Sequence, residues 1–401
     1  MLTFNDYLKE SEAPLHVTHL THIEDHAVQT GANGYKHAAG ALNAAHNHLV
    51  KRKLNSNLST KYDGSPAVVY GHHPENKKFF VATKSAFNAN PKINYTHEDI
   101  ERNHGHAPGL VDKLKQGLDH LPKIAPKHGV YQGDMMFGHN DLKSHHDDDH
   151  HVSFHPNPSG LTYHAHGKEA EKIKRAKIGI VTHLKYDGDN ITSMSAHSNV
   201  DHDNFATHSD VHHVDPRLNT GHSNFSHSPK EQSTFHHNMN AAAHIHATHG
   251  KEMYSATERH HGVGGHLESY MNHTVRSNDK RTASSFKDYM SAKHKKKVES
   301  YKTPKRIAAA IATKHDDEMH LDNNAKHYNN LFNLHNHLTK AKHALIHSMN
   351  KAAEFKHTHA GEEANPEGYV IHHDKQPSKL INRGEFSRRN FAGGRDFNAK
   401  L

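Results

Sequence analysis

The hexapeptide KYDGSP, Lys61 to Pro66, holds a lysine beside an Asp-Gly turn at the entrance to a β-rich segment. A rigid turn of this kind can aim an amine into whatever cleft the sheet forms. A free lysine is protonated at neutral pH, its ordinary pKa being ~10.4. It becomes a nucleophile only when burial or a neighbouring cation lowers that value. Lys84, just after the next β-rich run, is placed to supply such a cation or to meet a phosphate. Further along, QGDMMF carries Asp134 after Gly133, EGYVI carries Glu367 before an apolar strand, and SKLINR offers Lys379 and Arg383. A lysine, two strand-borne carboxylates and late cations form the set that transfers a nucleotidyl group. The carboxylates hold a divalent metal and orient the amine, while the cations neutralise a triphosphate as pyrophosphate leaves. Taken alone, KYDGSP reads as an ordinary solvated lysine beside a turn; the later segments shift that balance.

The elements that must position these residues follow from periodicity. Leu2 to Lys9 is a short amphipathic helix candidate, and Tyr35 to Lys53 sets Ala38, Leu42, Ala45 and Leu49 at helical spacing. Ala67 to Tyr70 and Phe79 to Thr83 form a hairpin pattern. Strand patterns follow at Gly129 to Phe137, Leu161 to Ala165, Lys177 to Lys185 and Ile191 to Ala196. From Asn199 to Asn240 the chain is rich in His, Ser, Asn and Asp and reads as irregular. Helical patterns return at Ser284 to Tyr301, Arg306 to Lys314 and Asn324 to Phe355, the last with an apolar stripe from Leu331 to Met349. Strands close the series at Glu367 to His373 and Ser378 to Asn382. Two β-rich blocks bracketing helices predict an α+β protein. The expected division is a helical segment at 1–55, a first sheet block at 56–198, an irregular then helical insertion at 199–360, and C-terminal strands at 361–401 that complete the sheet system.

In that order the segments resemble the covalent nucleotidyltransferases, the polynucleotide ligases and mRNA capping enzymes. Lys61-Tyr62-Asp63-Gly64 is similar to their nucleotidylated lysine motif, Gly133-Asp134 to the acidic motif that follows, Ile178 to Tyr186 to an apolar motif strand, Glu367 to Val370 to the next acidic motif, and Lys379 to Arg383 to the last. KYDGSPAVVYG, ATKSAFN and KLINRGEFSRRNF also resemble an uncharacterised family of large tailed-phage proteins. The resemblance implies a ligase adenylation domain-like fold of antiparallel sheets. It implies an ATP-dependent, RNA-ligase-like enzyme that forms lysyl-AMP at Lys61 and joins 5′-phosphate to 3′-hydroxyl ends. Lys61, Asp63, Glu367 and Lys379 would be catalytic, Asp63 orienting the lysine. Gly64, Lys84, Asp134 and Arg383 would bind the nucleotide, and Asp134 and Glu367 would hold Mg²⁺ or Mn²⁺. Pro66 stands where the superfamily usually has Arg, and Asp134 where Glu is commoner. The residues after Arg383 are too few for the oligonucleotide-binding barrel of DNA ligases, which favours RNA over DNA as partner. The alternative is a non-catalytic phage protein with this fold that binds nucleic acid or another partner.

Composition bounds the chemistry. With no Cys in 401 residues, a disulfide framework, a thiolate nucleophile and Cys-ligated metals are excluded. The formal charge of +7 permits a phosphate-rich partner. The absence of an 18-residue apolar run and of a signal-like start predicts a monomer in a cytoplasm, that of the host if the gene is a phage's, with no membrane partner. Histidine is abnormal at 51 residues, more than one site could use. HHDDDHH, His145 to His151, gathers metal-ligating types but reads as a solvated loop, and the pairs His46/His48, His164/His166 and His244/His246 are expected by chance at this composition. SAKHKKKVESYKTPKR, Ser291 to Arg306, is the densest basic run, suited equally to phosphates and to a solvated helical face.

Overall fold

The computed structural model describes residues 20–51, 57–145, 148–157, 160–221, 226–258, 261–374 and 376–392. The candidate helix Leu2 to Lys9 lies outside them. The chain is α+β and divides into two compact units, one built from Ser59–Leu218 and Ala353–Gly368, the other from Thr21–Leu58, Asn219–Ala352 and the residues from Tyr369 onward. No helix among the described residues is long and apolar enough to cross a membrane.

The first unit carries twelve labelled strands in chain order: β1 (Leu58–Lys61), β2 (Ala67–His72), β3 (Phe79–Ala82), β4 (Val130–Gly138), β5 (Lys143–His145), β6 (Asp148–Phe154), β7 (Thr162–His166), β8 (Ile178–Asp187), β9 (Ser195–His197), β10 (Val211–Val214), β11 (Lys356–His359) and β12 (Glu362–Ala364). A mixed sheet runs β10-β8-β4-β2-β3, with β9 beside β8. Only its β10–β8 pair is parallel among these neighbours, with Val211 opposite Ile178. Both faces are covered. Val68 and Tyr70 of β2 enter a core with the helices His97–His104 and Pro108–His120, while Val69 between them enters another with Phe80, Phe87 and Tyr186. This alternation, apolar on both sides, is what a central strand requires.

The second sheet, β12-β11-β7-β6-β5, is antiparallel throughout. Its inner face sends Val152, Phe154, Tyr163 and Ala165 into a core shared with Met136, Phe137 and Val181 of the mixed sheet, the helix Gly167–Arg175 and Phe355. The structure departs from three sequence expectations. The irregular stretch contains β10, whose pairing to β8 is invisible to local periodicity, and the start of the helix Pro229–Glu258, while the described residues of HHDDDHH lie in paired strands rather than a loop: His145 ends β5 and Asp148 to His151 open β6. Ile191 to Ala196 is a short 3₁₀ turn followed by β9 rather than one strand.

The second unit is helical, with Gly31–Lys51, Pro229–Glu258, Leu267–Ser277, Ala283–Ser300, Pro304–Asn323, Ala325–Asn350 and Arg383–Ala392, plus the hairpin β13 (Gly368–His373) and β14 (Gln376–Leu380). Leu331, Leu334, Leu338, Ala341, Leu345 and Met349 are all buried along Ala325–Asn350, as their spacing predicts. The same helix also buries polar groups. Lys342 donates to Glu24 at 2.6 Å with neither side chain exposed, and His335 meets Asp25 at 2.8 Å. Buried charges persist only when paired in this way.

Candidate functional site

Lys61 is the last residue of β1, and the turn Tyr62–Pro66 carries the chain into β2. The turn is pinned to β4: Ser65 N–H donates to the Met135 carbonyl at 2.9 Å, and Met135 N–H donates to the Pro66 carbonyl at 3.0 Å. The Ser65–Pro66 peptide is cis. Glycine is required at position 64, because a Cβ there would lie 2.7 Å from the Met135 carbonyl oxygen and 2.8 Å from Asp134 Cβ. The motif turn therefore rests directly against the carboxylate strand.

β4 is buried at every position except Asp134, which is half-buried. A carboxylate in such a strand needs a reason to be there. Its position is set by Gly133, where a Cβ would meet the Val181 carbonyl oxygen at 2.4 Å and where the β4–β8 register shifts. Asp134 Oδ2 lies 3.3 Å from His183 Nε2 of β8.

Glu367 comes from the far end of the chain. Lys61 Nζ donates to Glu367 Oε1 at 2.5 Å, with the lysine side chain 29% exposed and the glutamate 9%. The amine thus faces solvent while its carboxylate partner is nearly covered. Asp63 Oδ2 accepts from Asn157 Nδ2 at 2.9 Å, and the Tyr163 hydroxyl lies 3.4 Å from Asp63 N–H. Burial holds the Tyr163 phenol well above its ordinary pKa, and the negative charges of Glu367, Asp63 and Asp134 add to that effect. Sequence reading missed Tyr163, Asn157 and His183, since nothing in TYHAH, PNPSG or VTHLK marks them.

The remaining site candidates are placed differently. Lys84 is exposed at the start of the 3₁₀ turn Lys84–Phe87, which Thr83 caps by accepting from Ser85 N–H at 3.3 Å. Lys379 and Arg383 belong to the helical unit. Lys379 sits on β14 opposite Val370, its N–H donating to the Thr21 carbonyl at 2.9 Å. Arg383 Nη1 donates to both Asp25 oxygens at 2.9 Å and Nη2 to Asn272 at 2.5 Å, so this guanidinium is engaged in the interior of its own unit.

Beside the motif turn lies a groove of about 740 Å³ lined by Glu354, Glu169, Lys172, His212, Asp215 and Arg217, among others. Tyr62 donates to Glu354 at 3.3 Å across its edge. The protein atoms crowding Glu354 in the groove, then the charge of Glu169, push its carboxyl up to about 7, while the side chain itself reaches solvent.

The family model described as a family of unknown function, DUF6267, matches residues 17–395. The chain belongs to that family. Comparison with curated proteins finds no match, and comparison with solved structures finds none. The family description names no activity. Its match spans both units, so the lysine–carboxylate constellation and the helical unit belong to one family pattern.

Proposed function

We propose that the protein is a covalent nucleotidyltransferase of the RNA-ligase type, with Lys61 as the nucleophile. The observation that carries this reading is the 2.5 Å contact between Lys61 Nζ and Glu367 Oε1, with Asp63 and Asp134 gathered around the same turn. Glu367 orients the amine and is placed to accept its proton. The freed lone pair attacks the α-phosphorus of ATP; a nitrogen–phosphorus bond forms, the bond to the bridging oxygen breaks and pyrophosphate leaves with the electrons. A 5′-phosphate then accepts AMP from the lysine, and a 3′-hydroxyl displaces AMP from that end. Lys84, exposed at the start of its 3₁₀ turn in the same unit, would meet a phosphate.

Carboxylate oxygens are the donors that suit a hard divalent cation such as magnesium or manganese, and Asp134 stands half-buried on the strand against which the motif turn packs. Asp134 and Glu367 would hold it, and its chemistry would be to offset charge on the triphosphate. Asp134 is well placed because its strand fixes it through Gly133.

The test is covalent labelling. Incubation with α-³²P ATP and Mg²⁺ or Mn²⁺ should give a labelled protein band that survives boiling in detergent and is absent from Lys61→Ala. Absence of label with both ATP and GTP and with either metal overturns the enzymatic reading.

A second reading is a nucleic-acid binder with the same fold and no catalysis. It is favoured by Pro66 in place of the usual arginine and by the exposed run Lys293, Lys295, Lys296, Lys297, Lys302, Lys305 and Arg306 on the helices Ala283–Ser300 and Pro304–Asn323 and the link between them. Unlabelled protein that binds RNA with an affinity falling steeply with salt would select it.

A further inference from the structure

The second sheet carries a feature that nucleotidyl transfer does not use. Side chains alternate across its strands, so Val152, Phe154, Tyr163 and Ala165 point to the core while His151, Ser153, His164 and His166 share the opposite face. His145 of β5 joins them: its ring stacks on His151 at 3.8 Å between centroids and 10° between planes. His166 also stacks on His151, at 4.3 Å and 16°. His151 Nε2 and His164 Nδ1 are 2.9 Å apart. One ligand nitrogen each from His145, His151 and His164 lies within 4.8 Å of the others, and all three residues are half-buried.

We propose that His145, His151 and His164 form a binding site for a divalent transition-metal ion, zinc in the first instance, on the outer face of the five-stranded sheet. Three adjacent strands supply one imidazole each, so the ligands are fixed to a hydrogen-bonded framework rather than to a loop. Hydroxyl groups orient two of the rings. His164 Nε2 lies 2.9 Å from Thr358 Oγ1 on β11, and His145 Nε2 lies 2.9 Å from Ser153 Oγ on β6. With the His164 proton on Nε2, donated to Thr358, Nδ1 presents its lone pair beside His151 Nε2. This is the outer-shell arrangement that sets the tautomer of a metal-ligating histidine. Tetrahedral zinc with nitrogen at ~2.0–2.1 Å separates its ligand atoms by about 3.3 Å, so the His151–His164 spacing opens slightly and His145 turns inward about its side-chain bonds. Water completes the fourth position.

A contrasting cluster shows what a filled site looks like. Glu24, Asp25 and His335 also converge, but Lys342 and Arg383 already supply their cations.

The test uses the full chain purified without a polyhistidine tag and stripped with chelator. Calorimetric titration with Zn²⁺ should show one tight equivalent, and Co²⁺ should give the visible absorption of a tetrahedral nitrogen site. His151→Ala and His164→Ala should each weaken that step by about 100-fold or more, and Thr358→Val, which keeps all three ligands, by about 10-fold. His244→Ala, an exposed histidine elsewhere, should leave it unchanged. Circular dichroism melts confirm that the variants fold, and His145→Ala provides a second ligand variant should either of the others fail. A tight step that survives in the folded His151→Ala/His164→Ala protein overturns the site. So does unaltered protein that binds only weakly and at many positions.

Discussion

At the scale of single residues, the informative groups are those whose surroundings oppose their ordinary chemistry. Glu354 is one. Its carboxyl is pushed up to about 7, against an ordinary 4.5, by the protein atoms crowding it in the groove and by the charge of Glu169, even though the side chain still reaches solvent. Folding therefore favours the protonated form, so its contribution is harmless below pH 4.5 and becomes progressively unfavourable as pH rises from 4.5 to about 7. Glu354→Gln should flatten the stability profile in that window and raise stability at pH 8, by an amount reduced by the side chain's access to solvent. Chemical denaturation at pH 5 and pH 8 measures this; a variant no more stable than the parent at pH 8 refutes it. The glutamine carbonyl can still accept from Tyr62, so the substitution isolates charge. No sequence signal marked Glu354, because its hydrogen-bond partner Tyr62 and the neighbouring charge Glu169 are both far away in the chain. Lys61, Asp63, Asp134 and Glu367 were legible because each sits beside a glycine or turn whose local geometry is encoded nearby.

At the scale of elements, apolar periodicity was read well and polar strands poorly. The hairpin β2–β3 announced itself through AVVY and FFVA, and Ala325–Asn350 through its leucine stripe. β6 did not, because its outward positions include histidines, whereas β7 was read as the strand pattern Leu161 to Ala165. Yet HHVSF and TYHAH do alternate, with Val152, Phe154, Tyr163 and Ala165 inward, so a period of two was present beneath an unusual composition. β10 was beyond reach, since its partner β8 lies across the helix-free segment from Gly188 and pairs in parallel. Among the helices, Ala325–Asn350 carries the sharpest mutational expectation. Lys342→Ala leaves Glu24 charged and fully enclosed, at a cost of roughly 3–5 kcal/mol. The double variant Lys342→Met/Glu24→Gln should recover much of that loss. Urea denaturation of the single and double variants decides the point: equal stability of the two would show that the ion pair is not what the single variant breaks.

At the scale of the whole molecule, histidine burial governs behaviour in acid. Burial lowers the pKa from an ordinary 6.5 to about 4 at His26, His46, His212 and His343, and to about 3 at His213. These groups fold as neutral imidazoles. Their contribution is complete above pH 6.5 and is lost as pH falls toward 4, at about 2 kcal/mol for each by pH 5. Both units contain such residues, His212 and His213 in one and His26, His46 and His343 in the other. That loss is comparable with the ~5–15 kcal/mol by which a folded domain is stable. Far-ultraviolet circular dichroism followed from pH 8 downward should show cooperative loss of structure in both units between pH 6 and pH 4. A fold that persists unchanged at pH 4 would contradict the assignment of neutral buried histidines.

The ion pair between Lys61 and Glu367 joins residues separated by 306 positions, and everything in the helical unit from Asn219 to Ala352 is threaded between them. A ribosome delivers the lysine early and its carboxylate partner very late. Until Glu367 has been made the pair cannot close, so the geometry at Lys61 is set only after the helical segments that separate the two residues have been synthesised.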